Sequence, residues 1–142
     1  MSYGDGFGHP RLHVNRCVEL DIWALFLSEH GNMNSHAQHE QLCREAGIKP
    51  GYGVEMYFAP PKTRSKFHLG VYAMNEEGYR NLSKIVTQSY IDSYQFPTVH
   101  WDVLRKHNAG LAILSGCSDS LLSCTLLGGK SLGDKRDEYT ED

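Results

Sequence analysis

Apolar and polar positions alternate along "FHLGVYA", residues 67–73, with Phe67, Leu69, Val71 and Ala73 on one side and His68, Gly70 and Tyr72 on the other. That period of two predicts a strand with one packed face. "YGVEMYFA", residues 52–59, repeats the pattern, setting Val54, Met56 and Phe58 against Gly53, Glu55 and Tyr57. "WALFLS" (23–28) and "LAILS" (111–115) are continuous apolar runs instead, as in strands buried on both faces. "RLHV" (11–14) reads as the start of another short strand, which would carry His13.

Helical signals fill the intervals. In "NSHAQHEQLCREAG", Asn34 or Ser35 can cap the first turn, Gly47 follows the last, and Pro50 bars continuation. A second helix starts at about Asn75, with Glu76 and Glu77 where the helix dipole favours acids. Its apolar stripe is Tyr79, Leu82, Ile85, Val86 and Tyr90. Thr98 is placed to cap a third through "HWDVLRKHN", closed by Gly110, and "LLSCTLL" (121–127) is short and helical. "PPKTRSK" is an exposed loop. His36, His39, His100 and His107 fall on these helices and are expected at the surface. Strands alternating with helices predict an α/β fold with a mainly parallel sheet. Functional groups then gather at the carboxyl ends of the strands.

Composition narrows the function classes. The 142 residues carry a formal charge of −3, with 40% hydrophobic and 22% charged residues, the profile of one ordinary globular domain. No global basic field draws the chain to nucleic acid or to a membrane surface. No run approaches the ~18 apolar residues of a membrane helix, and the N-terminus does not read as a secretory signal. The four cysteines form no CxxC pair, so reduced thiols in a cytoplasmic setting are expected. Eight histidines are a high count. Glu29 and His30 follow one strand and Cys117 another, while Glu55 and His68 lie within strands opposite the apolar stripes. Imidazoles, carboxylates and a thiolate together make a borderline-soft set of metal donors.

The ordered segments "SEHGNMNSHAQHEQLCREAGIKPGYGVEMYFAP", "FHLGVYAMNEEGYRNLSKIV" and "GLAILSGC" closely resemble the polymerase and histidinol phosphatase (PHP) domain. The resemblance is to the version that opens the α subunit of bacterial and phage DNA polymerase III. It runs from about Trp23 to Leu127, leaving 1–22 as a divergent N-terminal segment and 128–142 as a polar tail. The resemblance implies an incomplete PHP-type distorted parallel β/α barrel with metal ions at its mouth. It assigns metal positions to His30, Glu55, His68 and Cys117, and more loosely to His13 and Asp21, with Zn²⁺ or Mn²⁺ (Mg²⁺ as an option) as the ion.

Departures from the family qualify the functional expectation. The His-x-His pair of the first strand corresponds here to His13 and Asn15, and an amide is a poor substitute for an imidazole. Few residues separate that region from "WALFLS", so one helix is expected to be missing. The family's late Asp-x-His pair and the polymerase domains have no counterpart in these residues. The chain therefore reads as a structural or degenerate PHP module of a replicative polymerase. Its partners would be the remaining domains of the α subunit, with DNA reached indirectly and no membrane. The alternative is a metal-dependent phosphoesterase or 3′–5′ exonuclease.

Overall fold

The computed structural model describes residues 6, 8–61, 65–93 and 96–127. Five strands, β1 (Ala24–His30), β2 (Lys49–Phe58), β3 (Phe67–Ala73), β4 (Thr98–Val99) and β5 (Leu111–Leu114), build one mixed sheet. Five helices accompany it: α1 (Pro10–Glu19), α2 (His36–Glu45), α3 (Glu76–Ile91), α4 (Trp101–Lys106) and α5 (Leu121–Leu126). The strand order is β1-β2-β3-β5, with β4 also paired to β2.

The sheet is less parallel than the alternation of elements predicts. β1 and β4 run parallel to β2, but β3 is antiparallel to both β2 and β5. The reason is the connection: β2 ends at Phe58 and β3 begins at Phe67, a link shorter than the dozen or so residues that a parallel crossover needs. The reversal matters for function. It puts the start of β3 at the same end of the sheet as the carboxyl ends of β1, β2 and β5.

One face of the sheet packs under α3 and α4. Val54, Met56 and Phe58 from β2 and Val71 from β3 meet Leu82, Ile85, Val99 and Leu104 in the main core. α3 enters this core as its apolar stripe requires, and Asn75 caps it by accepting a bond from Gly78 N–H at 2.9 Å. A second cluster joins Val14 and Cys17 of α1 to Leu42, Cys43 and Ile48.

Three local expectations are overturned. "RLHV" is helical rather than extended: Pro10 opens α1, where its missing N–H costs nothing, and His9 accepts a capping bond from Arg11 N–H. The helix thought to be missing before "WALFLS" is therefore present as α1, and among the described residues no strand precedes it. Thr98 lies in β4, and His100 takes the cap position of α4.

His36 and His39 are buried, each 2% exposed. They face the sheet because their ring nitrogens find main-chain partners there. His36 Nε2 lies 3.1 Å from the Gly53 carbonyl oxygen and His39 Nε2 3.0 Å from that of Leu25, which offsets the cost of burying them. His100 is half-buried with Nδ1 3.2 Å from the Ala59 carbonyl oxygen, and His107 is half-buried at the end of α4. The tail 128–142 lies outside the described residues.

Candidate metal centre

Register sets the site. In the parallel β1–β2 pair His30 is opposite Glu55, and in the antiparallel β2–β3 pair Glu55 is opposite Gly70 and Tyr57 opposite His68. Paired residues project to one face, so His30, Glu55, Tyr57 and His68 all rise on the side away from the main core. Glu55 sits between the two imidazoles. Its Oε1 is 3.3 Å from His68 Nδ1, and its Oε2 is 3.4 Å from His30 Nδ1.

Cys117 arrives from the loop after β5. Its Sγ is 3.2 Å from His68 Nδ1. The loop folds back on β3: His68 N–H donates to the Asp119 carbonyl at 3.1 Å, and Asp119 N–H points at Cys117 Sγ from 3.4 Å. Gly116 makes this close approach feasible. Its φ is +88°, and a Cβ there would stand 2.8 Å from the His68 carbonyl oxygen. All four cysteines are free thiols, and Cys117 alone among them is exposed.

Donor atoms of Glu55, His68 and Cys117 fall within 4.8 Å of one another. Tetrahedral ligands with bonds of about 2.0–2.3 Å lie roughly 3.3–3.8 Å apart, so the observed spacings are close to those of a ligand shell. Carboxylate oxygen, imidazole nitrogen and thiolate sulfur are also a chemically consistent set for a borderline cation. The residues present fit a divalent ion. Sequence reasoning missed Tyr57, whose hydroxyl is 3.2 Å from His30 Nδ1 and whose ring centroid is 5.5 Å from that of His68. Its parity with Glu55 along β2 was the available signal.

The PHP domain profile matches residues 1–141. The chain belongs to the PHP domain family. Among curated relatives of this PHP domain, the DNA polymerase III subunit alpha of Treponema pallidum is 38% identical over 136 residues, covering 89% of this chain and 12% of the relative. That of Chlamydia pneumoniae is 36% identical over 120 residues, covering 78% and 10%. The chain thus spans about a tenth of the length of these relatives. A candidate metal-dependent phosphoesterase from Bifidobacterium adolescentis superposes with a TM-score of 0.44 at 20% identity, covering 77% of this chain and 41% of that one, too loosely to carry an argument.

The remaining expected site residues of this PHP domain fall elsewhere. His13 is exposed on α1 and lines a groove of about 440 Å³ along β1, with Pro10, Ser28, Glu29 and His39. Asp21 occupies the turn after α1 with φ at 55° and is exposed. The strand assigned to His13 is a helix, so neither residue joins the cluster around Glu55.

Proposed function

We propose that this PHP domain is a module of a replicative polymerase of the DNA polymerase III alpha type, and that His30, Glu55, His68 and Cys117 hold one divalent ion. Zn²⁺ is the best match, with Mn²⁺ next, because a thiolate donor disfavours Mg²⁺. The observation that carries this reading is the meeting of Glu55, His68 and Cys117 donor atoms within 4.8 Å. Its partners would be the other domains of the polymerase, through which it meets DNA. No described helix is long and apolar enough to cross a membrane, and the free thiols suit a reducing, cytoplasmic setting.

The role proposed is structural support rather than independent hydrolysis. A divalent ion would supply acidified water and neutralise charge on a phosphoester oxygen. Two-metal phosphoester hydrolysis holds its ions ~3.5–4 Å apart. Among the described residues one donor cluster forms, and the His13 imidazole stands on a different element. The exonuclease reading draws support from the exposure of Cys117, which leaves the site open to a substrate.

Elemental analysis and a hydrolysis assay together test the proposal. The purified chain should carry about one zinc or manganese ion, and His68→Ala should lose it. A labelled single strand and a generic phosphate ester should show no turnover above background. Absence of bound metal from the parent chain would remove the ion. Turnover abolished by His68→Ala would replace the structural role with the hydrolytic one.

A further inference from the structure

Tyr57 reaches the site from the middle of the sheet. β2 carries it between two neighbours, opposite His68 of β3 and Thr98 of β4. Its ring is held from several sides. The ring centroid lies 5.5 Å from that of His68 and 6.2 Å from that of Phe96. At the end of β1 the backbone passes so close that a Cβ on Gly31 would stand 3.5 Å from Tyr57 Cε2. A ring fixed in this way delivers its hydroxyl to one place, 3.2 Å from His30 Nδ1.

The same nitrogen faces a second oxygen, Glu55 Oε2, at 3.4 Å. A neutral imidazole has one protonated nitrogen and one acceptor, and an ionised carboxylate only accepts. The nitrogen beside Glu55 is therefore the protonated one, and the Tyr57 oxygen shares its N–H. His68 differs. Its Nδ1 faces Glu55 Oε1 at 3.3 Å and Cys117 Sγ at 3.2 Å, both of them atoms that bind a divalent ion well. Those donors form the cluster that gathers within 4.8 Å, and His30 is outside it. Two imidazoles thus flank one carboxylate, one turned toward metal donors and the other toward a neutral hydroxyl.

We propose that Tyr57 is a positioning residue for His30. Its hydroxyl, with Glu55 Oε2, commits His30 Nδ1–H to the protein, so that His30 offers an ion Nε2 whereas His68 offers Nδ1. This deepens the reading of the site as a metal centre and rests on it. A ligating histidine is generally oriented through the N–H of its other nitrogen, and here a side chain outside the donor cluster performs that task.

The test uses the full chain with ¹⁵N-labelled histidine. Long-range ¹H–¹⁵N spectra identify the protonated and the metal-bound nitrogen of each ring, before and after a stoichiometric addition of Zn²⁺. In the metal-free chain His30 should carry its proton on Nδ1. With zinc, His30 should be bound through Nε2 and His68 through Nδ1. Tyr57→Phe removes the hydroxyl and keeps the ring. It should leave the His68 pattern unchanged, give His30 a mixture of tautomers and weaken zinc binding about tenfold or more. Tyr72→Phe, which removes a hydroxyl from the same face of the sheet, should match the parent in both measurements. A parental His30 tautomer and zinc affinity in Tyr57→Phe, or zinc on His30 Nδ1, overturns the assignment. A parent chain that binds no zinc removes the metal reading instead. The role of Tyr57 is then decided by the metal-free spectra, where an unchanged His30 tautomer in Tyr57→Phe overturns it.

Discussion

His68 and Cys117 are 49 positions apart in the chain, yet Nδ1 of one lies 3.2 Å from Sγ of the other. The contact depends on the reversal of β3, which starts at the end of the sheet where β5 finishes. It also depends on the loop that returns over the first residues of β3. Neither strand alone contains a site.

That proximity predicts the reactivity of one thiol. Cys17, Cys43 and Cys124 are buried and Cys117 is exposed, so a single cysteine should react quickly with a disulfide reagent in the native chain. If Cys117 binds zinc, a stoichiometric addition should slow that reaction about tenfold or more, since an engaged thiolate is a poor nucleophile. His68→Ala should restore the unprotected rate. Stopped-flow absorbance distinguishes these outcomes, and zinc protection that persists in His68→Ala would exclude the pairing.

Gly116→Ala tests the loop. Its φ of +88° is unfavourable for an L side chain, and the new Cβ would press on the His68 carbonyl from 2.8 Å. The backbone penalty alone is about 1–2 kcal/mol. The variant should show a lower denaturant midpoint and weaker zinc binding together. An unchanged zinc affinity would mean that the loop does not position Cys117.

Acid should loosen the attachment of α2. Burial holds the pKa values of His36 and His39 below the free imidazole value of 6.5, against the opposing pull of their carbonyl partners. The unfolded chain therefore binds more protons below pH 6.5, and stability falls as pH falls from there toward the folded pKa values. Each imidazole can contribute a slope of up to about 1.4 kcal/mol per pH unit. Urea midpoints between about pH 5 and 8 should decline on the acid side, with a shallower slope in His39→Gln. A flat profile would contradict the buried neutral imidazoles.

Leu82 is fully buried at the centre of the main core. Truncation to Ala should cost about 2–5 kcal/mol, read from equilibrium denaturation. Replacing Asn75 with Ala should cost about 1 kcal/mol by removing the cap of α3. If the two losses were equal, α3 would not be held mainly by its packing against the sheet.

Much of the architecture was legible in order along the chain. The period of two across Phe67–Ala73 coincides with β3, and the stripe through Leu82 and Ile85 faces the core as helical spacing requires. His30, Glu55, His68 and Cys117 were recognisable as chemistry-bearing residues at strand ends or on the less apolar strand faces. The four residues of "RLHV" are too few to separate strand from helix; Pro10 at the helix start and the three-residue spacing of buried Val14 and Cys17 are the features that match α1. Tyr57 went unnoticed because a tyrosine on a strand has many ordinary uses.

Local propensity and periodicity determine where strands and helices lie, because they depend on neighbours a few positions away. They carry no information about which way a strand runs beside its partner. The antiparallel placement of β3 came from a connection too short for a crossover, and that placement brought His68 to Glu55 and Cys117. Burial of His36 and His39 was also decided by tertiary structure. Their partners are the carbonyls of Leu25 and Gly53 on separate strands, and a polar side chain can be buried once such distant groups satisfy it.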